Sequence, residues 1–417
     1  MLWGAGAGAE SSAGKGAGAA RYALLVALGE YPAEAFGERL TSELTEFVER
    51  LETEDDDPGV HSAAGWLGRR LREVAGNGSQ SAEARGSRMA AGRGSGAGQE
   101  LGSRLGLGLD SGVGSVSGTP RAAYDPTGRR GWFTADVGRS RLTFVVFRPG
   151  RFLMGSPQDE AGRADNEGPA QDTRITRSFA LGRAEVTRGQ FDVFMARTKT
   201  YGLPEIEEWA AEPADPVVAP TWIEAVQFAT WATATAIGKR LGIVYTFGLQ
   251  EPARSRAFLS LPERAGTLRL PTEAEWEYAC RSGAQTAFGF GSDRSLLNRY
   301  GWFADNSGLR THEAGLLRPG RTGLYNMHGQ CWEWCLDWYG PYREGVAVDP
   351  VGPLDGDRKV VRGGSWNLGA RYARSASRDA YIPSNRNTNV SFRLSLTVPE
   401  VDPGWTAARP NPLPWTG

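Results

Sequence analysis

The side chains best suited to chemistry in this 417-residue sequence are three cysteines, Cys280, Cys331 and Cys335, and three histidines, His61, His312 and His328. Two thiolates close in space would hold a soft ion such as copper(I), and two histidines with one carboxylate would hold non-haem iron. The spacing spells out neither arrangement. Cys331 and Cys335 are four positions apart; on a strand they would face the same side and lie too far apart to bond. We read the cysteines as small buried apolar side chains, in preference to a disulfide between Cys280 and Cys335. His61 falls in a helical stretch and His312 in a loop, with no two-histidine-one-carboxylate spacing. The sequence holds no G-x-S-x-G, no phosphate-cradling glycine loop with lysine, no H-E-x-x-H and no C-x-x-C. Asp159 and Glu160 lie in a polar run and are read as solvated. The residues alone therefore give no catalytic site.

A few legible elements must position whatever site there is. Residues 142–147 (LTFVVF) are β-branched and aromatic and read as a strand. Residues 173–187 alternate like a strand pair, and 188–198 and 221–236 read as helices. A third helix, 272–281, has Pro271 before it and a capping box formed by Thr272 and Glu275. On it, Trp276, Ala279 and Cys280 share a core-facing side. Glu273 and Glu277 fall on another stripe, expected to face solvent or to pair with Arg281. Gly329 and Gly340 bracket WEWCLDWY, where Trp332, Trp334 and Leu336 alternate as the buried face of a strand. The run RGGS at 362–365 fits a turn or bulge in which glycine permits positive φ.

Composition organises the rest. Glycine is in excess, at 56 residues, and the 14 tryptophans crowd the later part of the chain. A formal net charge of −1 gives no pull toward nucleic acid or an anionic membrane. No apolar run approaches the roughly 20 residues of a membrane span. Met1 is followed by neither a charged n-region nor an apolar h-region, and three cysteines suit no secreted disulfide scaffold. The expected location is cytoplasmic. Residues 1–20 read as a low-complexity Gly/Ala tail and 21–75 as helical. The apolar faces of that helical stretch are Ala23/Leu24/Ala27/Leu28, Leu40/Leu44/Val48/Leu51 and, after Asp57-Pro58-Gly59, Val60/Ala63/Ala64/Leu67/Leu71. Residues 76–121 are Gly/Ser-rich and read as a disordered linker, 122–400 as an α+β domain with long irregular loops, and 401–417 as a C-terminal tail.

Six phrases in order carry a family likeness: FLMGSPQDEAGRADNEGP (152–169), RAEVTRGQF (183–191), LRLPTEAEWEYACRSG (268–283), TGLYNMHGQCWEWCLDWYG (322–340), VVRGGSW (360–366) and RSASRDAYIPSNRNTNVSFRLSL (374–396). From about 141 to 396 the chain resembles the formylglycine-generating-enzyme, or sulfatase-modifying factor, family. The likeness implies a C-type-lectin-like α+β fold with few regular elements and much aromatic packing. Residues 21–74 more faintly resemble the end of a HEAT-type helical repeat.

The resemblance also implies chemistry. In that family two cysteines shortly after the GGS turn bind copper(I) and oxidise a substrate cysteine to formylglycine. Here the stretch is WNLGARYARSAS (366–377), without cysteine, so the expectation is no catalytic residue and no copper. Some relatives use iron held by a separate histidine-rich domain, which three scattered histidines do not supply. The family's calcium site, carried over residue by residue, falls on Asn326 and Glu333 through side chains and on Gly329 and Cys331 through backbone carbonyls. The alternative is that Glu333 neutralises a buried arginine and Asn326 caps a turn. Glu185 matches one position of a second calcium site. The family groove falls on 367–389, rich in the Asn, Tyr and Arg that binding loops favour; Asn367, Tyr372, Tyr381, Asn385, Asn387 and Asn389 are its candidate ligand contacts. Arg374, Arg378 and Arg393 are expected instead in buried ion pairs. The leading reading is a non-catalytic module binding a protein or peptide, in a larger bacterial chain, with no nucleic-acid or membrane partner. The rivals are an oxidase acting on a protein cysteine and a retroelement-diversified ligand-binding protein of the same fold.

Overall fold

The computed structural model describes residues 13–31, 36–86, 130–137, 140–198, 210, 212–236 and 267–398. Three helices precede the first strand: α1 (Ala13–Leu28), α2 (Gly37–Glu54) and α3 (Pro58–Gly86). Asp57 opens α3 by accepting from the Gly59 and Val60 amides at 2.8 and 3.0 Å, with Pro58 at the first helical position. Both α1 and α2 pack on α3, around Leu25, Val48, Val60, Ala63, Ala64, Trp66, Leu67 and Leu71. The faces expected for α2 and α3 are largely kept, although Leu40 is exposed; that of α1 is rotated. Leu25 is buried and Leu24 is 41% exposed, because ALLVAL is apolar all round and its periodicity selects no side. α1 starts inside the stretch read as a tail, and α3 runs into the stretch read as a linker; residues 1–12, 87–129 and 399–417 lie outside the described residues.

The second part is mixed α and β. Strands β1 (Trp132–Val137), β2 (Ser140–Phe147), β5 (Phe179–Gly182), β12 (Ser395–Thr397) and β6 (Leu268–Arg269) form one sheet in that order. Strands β3 (Gly150–Met154), β4 (Gln171–Ile175) and β8 (Val346–Val348) form a second. The third runs β10 (Arg378–Tyr381), β9 (Lys359–Arg362), β7 (Trp332–Trp338) and β11 (Val390–Ser391). The expected strand pair at 173–187 is therefore two strands in different sheets, β4 beside β3 and β5 beside β2 and β12. Alternation fixes which face a side chain takes, not which neighbour a strand finds.

Helices α4 (Arg188–Thr198), α5 (Trp222–Ala236) and α6 (Glu273–Arg281) lie where the sequence puts them. The α6 capping box is complete: Thr272 Oγ1 accepts from the Glu275 amide at 3.1 Å, and Glu275 accepts from the Thr272 amide at 3.0 Å. β7 is buried on both faces rather than one. Trp332, Trp334 and Leu336 enter the cluster with Phe191, Trp222, Phe228 and Phe392, while Cys335 enters another with Trp276 and Cys280. A strand covered on both sides is apolar or ion-paired throughout.

The helical segment shares a buried polar seam with this domain. Trp132 Nε1 donates to Asp55 O at 2.8 Å, and the Gly131 amide to Asp56 O at 2.9 Å. The His61 ring stacks on Trp132 at 3.7 Å, and Arg183 donates to His61 Nε2 at 3.0 Å. Burial, then Arg183, pushes the His61 imidazole down to about 3, so it is neutral and Nε2 is free to accept. Tyr325 OH donates to Ser62 O at 2.7 Å.

Candidate functional site

The third sheet carries the stretch expected to line the groove. β9 ends at Arg362, and Gly363 and Gly364 follow with φ of +102° and +77°. A Cβ on Gly364 would sit 2.7 Å from Tyr372 O, so both conformation and space demand glycine there. The turn delivers Ser365 and Asn367 to one place. Ser365 Oγ donates to Asn367 Oδ1 at 2.8 Å, and Asn389 Nδ2 donates to the same oxygen at 3.0 Å. Tyr372 stands edge-on to Trp332 at 6.5 Å and Tyr381 edge-on to Trp334 at 6.2 Å. The fold thus gathers Asn367 and Asn389, with Tyr372 and Tyr381 aligned along β7. Asn385 and Asn387 serve turns: the Asn385 amide donates to Ile382 O, and Asn387 O accepts from the Val390 amide, each at 3.0 Å. Tyr381, Asn385, Asn387 and Asn389, expected outside, are half-buried because the 382–389 loop folds back onto the sheet.

Beneath this stretch lies a layer of buried ion pairs. Arg362, fully buried, is paired with Glu277 and donates to Ala376 O at 2.7 Å and Ser377 O at 2.6 Å, fixing the approach to β10. Arg378 meets Glu273 at 2.7 and 2.8 Å between the rings of Tyr339 and Tyr342. Arg374 is held by Glu160 and Glu167, so Glu160 is engaged rather than solvated. Glu273 and Glu277 do not face solvent; they are 4% and 0% exposed, and Glu277 also pairs with Arg281 at 2.8 Å. The carboxylates turn inward because arginines from distant strands await them.

Cys280, Cys331 and Cys335 are the thiols of the chain. All three are free and buried. Cys280 lies 3.7 Å from Met327 O, and burial pushes its thiol up to about 12. Cys331 packs under Trp366 with Val218 and Ala219, and Cys335 packs beside Trp276; burial holds both well above the ordinary thiol range. Burial of this kind favours the protonated thiol. His328 is satisfied in its neutral form, donating from Nδ1 to Ala373 O at 2.9 Å and accepting at Nε2 from the Gly289 amide at 3.0 Å, and burial pulls it down to about 4. His312 stacks on Trp302 at 3.9 Å.

The carried-over metal positions sit at the start of β7. Both oxygens of Glu333 are engaged: Arg393 Nε and Nη2 donate to them at 2.6 Å, and Trp276 Nε1 donates to one at 2.8 Å. Asn326, at φ +58°, donates to Glu185 Oε2 at 3.1 Å. Gly329, at φ +131°, has space only for hydrogen, because a Cβ would lie 2.2 Å from Trp302 O; it and Cys331 flank Gln330 in the turn entering β7. Glu185 Oε1 is buried without a hydrogen-bond partner, and burial raises its carboxyl to about 8. Glu185 Oε2 accepts from Asn326 and lies 3.9 Å from Arg393 Nη2, which leaves Oε1 as a carboxylate oxygen of the kind hard cations take. The set fits one through Glu185 rather than through Glu333, which is committed to Arg393.

Comparison with known proteins now has a geometry to meet. A family model for the sulfatase-modifying factor enzyme 1-like domain matches residues 134–398. The chain belongs to that family. The formylglycine-generating enzyme of Streptomyces coelicolor is 32% identical over 286 residues, covering 62% of this chain and 90% of that protein. The serine/threonine-protein kinase Pkn1 of Chlamydia trachomatis is 34% identical over 137 residues, 31% of this chain and 21% of the kinase. Among solved structures, Treponema denticola variable protein 1 superposes with a TM-score of 0.52 at 25% identity, covering 64% of this chain and 99% of that one. The sulfatase-modifying-factor fold, and with it the C-type-lectin-like architecture expected from the phrases, is that of this domain.

Sequence reasoning missed two members of the site. Ser365 went unremarked within RGGS, and Glu185 was matched to a different cation position from Asn326 although the two touch. Their separation along the chain, 141 residues for Glu185 and Asn326, leaves no local signal.

Proposed function

We propose that this member of the sulfatase-modifying factor family is a non-catalytic peptide-binding module. The supporting observation is the composition of the groove. The stretch after Gly363–Gly364 offers Ser365, Asn367, Tyr372, Tyr381 and Asn389 but no thiol, and the chain's three thiols are buried elsewhere with their protons held. Tyrosine and asparagine give rigid area and adaptable hydrogen bonds, which suits an extended chain with exposed amides. Among tagged peptides selected on the full chain, replacing Tyr372 and Tyr381 together by alanine is expected to weaken binding at least tenfold, measured by fluorescence anisotropy. Unchanged affinity would place the peptide elsewhere.

The rival is an oxidase, favoured by the 32% identity with the Streptomyces coelicolor formylglycine-generating enzyme over 90% of that protein's length. Incubating the full chain with a cysteine-bearing sulfatase-type peptide, copper(I) and dioxygen separates the two. Mass spectrometry is expected to return the cysteine unchanged, and an aldehyde product would sink the non-catalytic reading.

A structural calcium ion belongs to the same proposal, held by Glu185 and Asn326 with the carbonyls of Gly329 and Cys331. It supplies positive charge to a buried carboxylate that otherwise has one idle oxygen. A ligand present at 100 times its Kd stabilises the folded state by about 2.7 kcal/mol. A calcium chelator is therefore expected to lower the melting temperature of the wild type and to leave that of Glu185→Gln unmoved. A wild-type melt indifferent to the chelator rules the ion out.

A further inference from the structure

The seam between the helical segment and the domain has an unusual construction. Two domain residues, Arg183 and Tyr325, grip α3 with their side chains: Arg183 Nη1 on His61 at 3.0 Å and Tyr325 OH on Ser62 O at 2.7 Å. The main-chain carbonyls of the same two residues point the other way and hold Arg393. Arg393 Nη2 donates to Tyr325 O at 3.0 Å, and Nη1 to Arg183 O at 3.4 Å and Gly182 O at 3.1 Å. Arg393 in turn clamps Glu333 of β7. Glu333 lies between Trp332 and Trp334, the two rings against which Tyr372 and Tyr381 stand.

From this we infer that the helical segment is a positioning unit for the groove, acting on β7 through Tyr325 and Arg183. Its hold on the two side chains sets where their carbonyls lie, and those carbonyls orient the guanidinium that fixes Glu333. Every step is a buried hydrogen bond, and every residue along it except Ser62 and His61 belongs to the domain. The side chains along the path, Arg183, Glu333 and Arg393, are 4%, 0% and 0% exposed, so water offers no substitute partner when one link is cut. A partner or load that displaces α3 would on this account be read at Tyr372 and Tyr381, about one strand away. The inference is independent of what the groove binds.

Spatial succession alone does not establish coupling, so the test is a local measurement on the full chain. Tyr325→Phe removes one hydroxyl and keeps the ring. Val48→Ala loosens the helical bundle at its centre without touching the seam. Native-state hydrogen exchange is followed at the Glu333, Trp334 and Cys335 amides, at α3, and at α4 as a reference. Tyr325→Phe is expected to accelerate exchange in β7 at least tenfold relative to α4, with Val48→Ala accelerating α1, α2 and α3 but leaving β7 at the pace of α4. Arg183→Lys, which keeps the charge and loses the fork, is expected to follow Tyr325→Phe. Acceleration confined to α3 in Tyr325→Phe, or an equal response of β7 to Val48→Ala, would overturn the inference, the second by showing that any loosening of the bundle reaches β7.

Discussion

Replacing Arg393 by methionine is expected to cost about 3–5 kcal/mol, the usual penalty for leaving a buried charge without its partner. Arg393 and Glu333 are both 0% exposed. The guanidinium satisfies both Glu333 oxygens at 2.6 Å and also donates to Gly182 O and Tyr325 O. Methionine would leave a carboxylate in the core with Trp276 Nε1 as its remaining donor. The double variant Glu333→Gln/Arg393→Met removes the closer of the two buried carboxyls that Arg393 faces, the other being Glu185 at 3.9 Å, and keeps an acceptor for Trp276, so it should recover part of the loss. In a domain of this size 1 kcal/mol moves the melting point by roughly 2–4 °C, which puts the single variant lower by about 10 °C. Urea unfolding of the wild type, the single and the double variant closes the comparison. A double variant no more stable than the single one would mean that the carbonyl bonds, and not the charge, carry the effect.

The contrast between Arg393 and α6 explains what the sequence could and could not reveal. The α6 capping box, the RGGS turn and the 188–198 helix are local: their donors, acceptors and glycine requirements lie within a few residues, and they stand where the spacing puts them. Arg374, Arg378 and Arg393 were legible as buried because an arginine amid tryptophans must find a carboxylate. Which carboxylate was not, since Glu273 meets Arg378 across 105 positions and Glu277 meets Arg362 across 85. Helical spacing puts the same two glutamates toward solvent or against Arg281; Glu277 does pair with Arg281, but spacing knows their stripe and not which distant arginines approach it. In the 367–389 stretch, singled out by the family likeness together with composition, the Asn367 and Asn389 side chains meet in space, whereas Asn385 and Asn387 contribute main-chain bonds to turns. Residue type suggests a binding loop; only the fold decides which of its side chains are free.

Gly323→Ala should melt the helical segment and the domain together. Gly323 has φ of +87°, and a Cβ there would come within 2.2 Å of Pro58 O and 2.9 Å of Ser62 Oγ. Ser62 Oγ, a side-chain atom without a hydrogen-bond partner, can turn away, but Pro58 O is backbone and cannot retreat cheaply. Pro58 is the first residue of α3, whose start is fixed by Asp57, and Ser62 O is the acceptor of Tyr325 OH. The left-handed conformation costs alanine about 1–2 kcal/mol, and a forced backbone shift in a packed site adds about 1–3 kcal/mol, for a total near 3 kcal/mol. Had the helices been a separate repeat tethered by a linker, the same change would be absorbed by moving them away, and the domain would keep its stability. Calorimetry distinguishes the cases: one transition displaced downward by roughly 10 °C if the seam is integral to the fold, or an early transition of the helices alone above an unmoved domain transition if it is not. The geometry favours the single transition, because the clash falls on the same turn that carries Trp132, His61 and Tyr325 into contact, and relieving it by separation would expose two aromatic rings and the Arg183 guanidinium at once.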